Sequence, residues 1–170
     1  MRLTLSRSII RPFLREDAGS LAHHANDREV WRNLRDRFPH PYTLVDAQQW
    51  LESTCVEPWT TFAIEVDGVA VGGIGYETKA DVYRHTAEIG YWLGREYWGR
   101  GIASEVINAF AVQLFGSRSL IRLEAGVYAW NPGSMRALEK AGFLREACQR
   151  KAAFKDGEFV DVMLYARMKG

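Results

Sequence analysis

Apolar and polar positions along this chain change period several times, and each change marks an element. From Leu120 to Tyr128, Ile121, Leu123, Ala125 and Val127 alternate with Arg122 and Glu124, which predicts a strand. Ile102, Val106, Ala109, Phe110 and Leu114 recur instead at helical spacing, on a helix that Gly116 can end. Phe62 to Val66 and Val69 to Ile74 are apolar-rich runs that flank Asp67-Gly68, a dipeptide that accepts the positive φ of a two-residue hairpin turn.

The remaining elements follow from punctuation. Ser8 to Phe13 predicts a short strand halted by Pro12, with a polar helix starting near Asp17, whose carboxylate suits a cap. Asp46 likewise suits a cap, preceding Ala47, Trp50, Leu51 and Thr54, a second helical spacing. Ala87 to Leu93 predicts a strand that runs into a glycine-rich loop, Gly94 to Gly101. Asn131 as cap and Pro132 at the first helical position open a short helix that Gly142-Phe143 stops. Leu144 to Met168 folds back at Lys155-Asp156-Gly157-Glu158 as a last hairpin. The order predicts an α/β fold, a mixed sheet with helices on its faces, in one domain over residues 1–170.

Composition narrows the function classes. The apolar fraction is 47% and the charged fraction 25%, which excludes disordered and low-complexity chains. A net charge of +1 argues against general nucleic-acid binding. The longest apolar-rich stretch, Val106 to Phe115, is broken by Asn108 and Gln113 and falls short of a bilayer span. Arg2, Arg7 and Arg11 precede any apolar run, so no signal peptide is expected. Together these predict a cytoplasmic chain with neither a nucleic-acid nor a membrane partner. Cys55 and Cys148 are too far apart for a Cys-based metal site and are expected in packed or half-buried positions. His23, His24, His40 and His85 show no metal-ligand spacing and are expected at the surface, so no metal is expected.

The chemistry concentrates between Tyr91 and Ala103. A strand passes through three glycines into a helix, whose first N–H groups lack partners and suit a phosphate. Gly99 and Gly101 clear the approach, and Arg100 adds a charge-assisted contact. Gly94 and Gly99 have P-loop spacing, but Arg100-Gly101 stands where lysine and a hydroxyl belong; Ser104 breaks the dinucleotide fingerprint. The loop therefore suits a phosphate that is held and not cleaved, although a tight strand–helix turn alone explains the same glycines.

Glu88-Ile89-Gly90-Tyr91-Trp92-Leu93, then Trp98-Gly99-Arg100-Gly101-Ile102-Ala103, then Asn131-Pro132-Gly133-Ser134 followed by Glu139-Lys140-Ala141-Gly142-Phe143, resembles the GNAT family of N-acetyltransferases. Within it the chain is most similar to the ribosomal-protein N-terminal acetyltransferases. The resemblance covers nearly the whole chain. It implies a mostly antiparallel GNAT sheet with a central splayed strand pair, and acetyl-coenzyme A as donor. By resemblance the cofactor lies against Tyr91, Trp92 and Leu93, against the amides of Trp98, Gly99, Arg100, Gly101, Ile102 and Ala103, and against Asn131 and Ser134. Trp98 departs from the family's polar residue at that position.

Transfer to an amine needs a base, an oxyanion donor and an acid for the thiolate. Glu88 is the first choice of base, with Glu77 in reserve; a cross-strand partner for an arginine is an equal alternative for Glu88. The resemblance implies the Leu93 N–H as oxyanion donor. It also implies Ser134 as partner of the departing sulfur, because Leu138 stands where many members place a tyrosine. The resemblance sets Trp31, Arg35 and Phe38, with Arg32, His40 and Tyr42, at the acceptor end. Residues 27–37 carry four arginines against three acids, no strong RNA clamp. The implied acceptor is a primary amine, a peptide N-terminus or a small molecule such as a polyamine, amino acid or aminoglycoside. A non-catalytic coenzyme A-binding module is the rival. A homodimer is common among such relatives.

Overall fold

The computed structural model describes residues 1–170. In chain order the first elements are β1 (Leu3–Thr4), β2 (Ile9–Pro12), α1 (Ala18–Ala25), α2 (Arg28–Trp31), α3 (Leu44–Thr54), β3 (Thr61–Val66) and β4 (Val69–Thr78). There follow β5 (Thr86–Leu93), α4 (Ile102–Ser117), β6 (Arg122–Tyr128), α5 (Pro132–Lys140), β7 (Leu144–Lys155) and β8 (Glu158–Met168). The strands form one mixed sheet in the order β1-β2-β3-β4-β5-β6-β8-β7, the α/β arrangement that the patterning predicts. Two compact units divide the chain: Met1–Gly75 with Tyr91–Ile102, and Tyr76–Gly90 with Ala103–Gly170. No helix is long and apolar enough to cross a membrane.

In the first unit β2 pairs antiparallel with β3, and β3 with β4. Asp67 and Gly68 join the last two at φ 50° and 81°, the left-handed pair that the sequence anticipates. Phe13, Leu21, Tyr42, Leu51 and Ala63 form a buried cluster, with Trp50, Phe38, Cys55 and Trp92 packed against it. Burial pushes the Tyr42 hydroxyl up to about 12, and the charge of Asp46 adds to the effect. Arg11 is buried on β2 and bonds both oxygens of Asp17, at 2.7 and 2.8 Å, as well as Glu65. Those bonds to Asp17 lead the causes that hold its guanidinium charged far above the ordinary range.

Two capping expectations change. Asp17 does stand before α1, but its carboxylate is taken by Arg11 and the Leu14 N–H rather than by the helix. The cap of α3 is Thr43, whose hydroxyl accepts from the Asp46 N–H while Asp46 reaches back to the Thr43 N–H at 2.8 Å. Asp46 is therefore the third helical residue of a reciprocal capping box. Cys55 is half-buried, as expected, whereas Cys148 is exposed on β7 and His24 is buried in α1.

In the second unit the parallel ladder of β5 with β6 runs from Thr86–Arg122 to Glu88–Glu124 and stops, although both strands continue. This is the splayed pair. The α4 helix buries Val106, Ile107, Phe110, Ala111 and Leu114, and it passes through Gly116 to end at Ser117. The α5 helix starts on an Asn131 cap and ends in a Schellman motif: Phe143 N–H bonds Leu138 O and Gly142 N–H bonds Glu139 O, both at 3.0 Å. Asp156 and Gly157, at φ 54° and 85°, turn β7 into β8. The outermost strand, β7, is exposed along nearly its whole length, and its ladder breaks between Gln149 and Ala153.

Glycines let β4 receive the end of β5. A Cβ on Gly72 would collide with the Trp92 carbonyl and lie 3.0 Å from Leu93 Cα; on Gly73 it would meet the Trp92 indole at 3.1 Å and Phe13 at 3.2 Å. Gly72→Ala is therefore expected to lower stability by about 1–3 kcal/mol. Gly116→Ala, in a helix and with nothing within 4 Å of its Cβ, is expected to raise it by about 0.5–1 kcal/mol. Urea unfolding of the two variants checks the opposite signs.

Candidate functional site

The bend from β5 into α4 is built by short-range constraints within the first unit. Gly94 N–H donates to Val71 O at 2.7 Å, which turns the chain off β4. A helical turn, Arg95–Tyr97, follows. The Trp98 indole N–H then donates to Leu93 O at 2.7 Å, so this side chain works as a staple across the bend. That is the physical reason a tryptophan serves where the resemblance leads one to expect a polar residue. Gly99 and Gly101 take φ 73° and 79°, conformations that suit glycine, and α4 begins at Ile102.

The residues present at the bend fit a bound phosphate. Nothing lies within 4 Å of a Cβ built on Gly99. The Arg100 side chain is exposed, its guanidinium carbon 5.3 Å from the centre of the Tyr97 ring. Arg7 donates to the Arg100 carbonyl, and its Nη1 lies 2.7 Å from where a Gly101 Cβ would be. A helix start with no side chain at Gly99 or Gly101 and with two guanidiniums nearby is chemically suited to an anion. Sequence reading missed Arg7, because nothing local ties a residue ahead of β2 to a loop so far along the chain. Ile102 is buried and Ala103 half-buried.

Gly94 has an ordinary negative φ, and its lack of a side chain answers a different need. A Cβ there would stand 3.0 Å from His24 Nδ1. Burial holds the His24 imidazole below its usual range, with help from His23 and against the pull of Glu96. Glu96, in the turn after β5, lies 3.3 Å from His24 and 3.7 Å from His23.

Of the expected acceptor residues, Phe38 stacks on Tyr42 with ring centres 4.8 Å apart and meets the Trp92 ring edge at 5.6 Å. This brings Phe38 beside the end of β5. Tyr42 itself is a core residue. Trp31 stacks on His40 at 5.4 Å, Arg32 is half-buried and Arg35 is exposed. Tyr91 and Trp92 are half-buried and Leu93 is buried.

In the second unit, Glu88 is half-buried and in register with Glu124. The Glu124 carboxylate bonds Lys79 and the Arg122 Nε, the latter at 2.7 Å. Burial pushes its carboxyl up, but these two bonds prevail and hold it below the usual range. Glu77 is exposed near the end of β4. The Asn131 side-chain oxygen accepts from the Ser134 N–H at 3.0 Å, so both belong to the first turn of α5. Leu138 is fully buried at the other end of that helix, a packing residue.

Comparison with known proteins matches this arrangement to one family. The sequence profile described as Acetyltransferase (GNAT) domain matches residues 7–144. An uncharacterized N-acetyltransferase of Bacillus licheniformis, p20, is 31% identical over 98% of this chain and 96% of its own length. The ribosomal-protein-serine acetyltransferase of Escherichia coli is 33% identical over 63% of this chain and 59% of its own length. Among solved structures, the ribosomal α-N-protein acetyltransferase RimL, in complex with coenzyme A, superposes with a TM-score of 0.86 over 99% of this chain and 98% of that one; at 18% identity it shares the fold. The profile match covers both the stapled bend and the Asn131 cap, and the chain belongs to the GNAT family of acetyltransferases.

Proposed function

We propose that this protein is an acetyl-coenzyme A-dependent N-acetyltransferase that moves the acetyl group directly to a primary amine, with a protein N-terminal amine as the leading acceptor. The observation that supports the donor most is the bend from β5 into α4, where glycines at φ 73° and 79° keep side chains away from a helix start beside Arg100 and Arg7. The relative that acts on a ribosomal protein supports a peptide amine as acceptor.

Bound acetyl-coenzyme A supplies an acyl carbon activated by its thioester. The amides of Gly99, Arg100, Gly101, Ile102 and Ala103 hold its diphosphate, and Trp98 keeps that loop in shape through Leu93 O. Tyr91, Trp92 and Leu93 orient the arm that carries the acyl group, and Asn131 adds a contact to the same cofactor. Glu88 takes the proton from the incoming ammonium. The Leu93 N–H donates to the acyl oxygen as charge develops on it. Ser134 hydrogen-bonds the departing sulfur; its hydroxyl is a poor acid, so it steadies the thiolate rather than fully protonating it. Trp31, Arg35 and Phe38 receive the acceptor.

Leu138, apolar and fully buried, favours a second reading in which the chain binds coenzyme A without turnover. Release of free thiol from acetyl-coenzyme A separates the two when measured with a panel of peptides, polyamines, amino acids and aminoglycosides. Turnover on any of them supports the enzyme. Saturable coenzyme A binding in calorimetry with no turnover on all of them supports the binding module.

Three variants test the roles. Glu88→Gln is expected to lower turnover about 10²–10⁴-fold; full turnover across pH removes Glu88 from the role. Ser134→Ala is expected to reduce kcat more than acetyl-coenzyme A affinity, and the reverse split makes it a binding residue. Arg7→Ala is expected to weaken coenzyme A binding by about two- to fivefold, the scale of an exposed charge contact. That loss should shrink as salt rises in calorimetric titrations.

A further inference from the structure

Apart from the glycine bend, the first unit gathers three side chains whose atoms suit a transition metal. His23 and His24 are consecutive in the last turn of α1, and Glu96 comes from the turn that follows β5. One ligand atom from each lies within 4.8 Å of the others. The Glu96 Oε1 stands 3.3 Å from His24 Nδ1 and 3.7 Å from His23 Nε2. Both separations are longer than a charge-assisted hydrogen bond, which runs about 2.7–2.9 Å. They lie close to a different length. Ligands about 2.0–2.2 Å from one tetrahedral zinc ion are about 3.3–3.5 Å from each other.

The group is also held in place. His24 is buried, with its ring against the open side of Gly94 and edge-on to Tyr97 at 5.5 Å. The His23 ring meets it edge-on at 4.8 Å. Such packing fixes a ligand before the ion arrives. The side chains of His23 and Glu96 are 74% and 58% exposed, which leaves the ion a route in and water for a fourth position.

We propose that His23, His24 and Glu96 bind one zinc-class divalent cation, with water as the fourth ligand, and that the ion ties the turn Arg95–Tyr97 to α1. The local spacing of the histidines gave no sign of this, because the third ligand lies far along the chain. No step of the proposed acetyl transfer is routed through the ion.

The test uses the full, tag-free chain stripped of metal and without coenzyme A, so that its failure leaves the acetyl-transfer reading intact. Calorimetry with zinc chloride is expected to show one ion per chain. Cobalt(II) in its place should give the intense visible bands of four-coordinate geometry. Glu96→Gln and His23→Ala, both at exposed positions, are each expected to weaken zinc binding about tenfold or more. The unfolding midpoint of the metal-free chain should stay unchanged in both. The proposal is overturned if the wild-type chain shows no saturable binding. It is equally overturned if the double variant, Glu96→Gln with His23→Ala, keeps full affinity, since the ion then sits elsewhere and the three side chains form only a loose ion pair.

Discussion

The end of β5 lies against β4 at a distance that only residues without side chains allow. At Gly72 the Trp92 carbonyl and the Leu93 backbone fill the place of a Cβ, and at Gly73 the Trp92 indole and the Phe13 ring do. Much follows from that contact. It sets Gly94 N–H on Val71 O, which aims the turn, and it fixes the strand end whose carbonyl receives the Trp98 indole. Gly99 and Gly101 then bend the chain into α4 at φ 73° and 79°. Two small residues in one strand thus govern the shape of a loop that begins far from them in sequence, and the aromatic packing of Phe13, Trp92 and Phe38 keeps the geometry stiff.

The second unit solves an electrostatic problem. Glu88 and Glu124 stand in register where the parallel ladder of β5 and β6 ends, and two unscreened carboxylates there would repel. Lys79 and Arg122 both bond Glu124, and Arg122 goes on to Glu146 at 2.9 Å. Lys79 and Arg122 thus balance the Glu124 carboxylate, so the residue proposed as base stands beside an acid that already has its own cations.

Elements defined by local chemistry were legible in the sequence. Asp67-Gly68 and Asp156-Gly157 announce hairpins because their positive φ is a property of two residues, and Asn131-Pro132 with Gly142-Phe143 brackets α5 by caps alone. What escaped depends on partners distant in the chain or on competition between caps. Asp17 looks like a helix cap until Arg11 claims its carboxylate, and Asp46 looks like one until Thr43 proves a better fit. The two-residue β1 and the four-residue α2 are too short to show a period. Of the candidate site, the glycine bend was readable from spacing, whereas Arg7 beside it and the meeting of His24 with Glu96 exist only once the chain has folded.

The outer strand β7 has an implication for how the protein behaves when crowded. An uncovered sheet margin invites foreign strands to add to it. Here Arg145, Arg150 and Lys151 place like charge along that margin. Lys151 adopts φ 50°, and its N–H turns to Asp161 Oδ1 at 2.8 Å where the ladder is interrupted. A flat template is thereby spoiled at its middle, and the fold carries its own guard against templated aggregation.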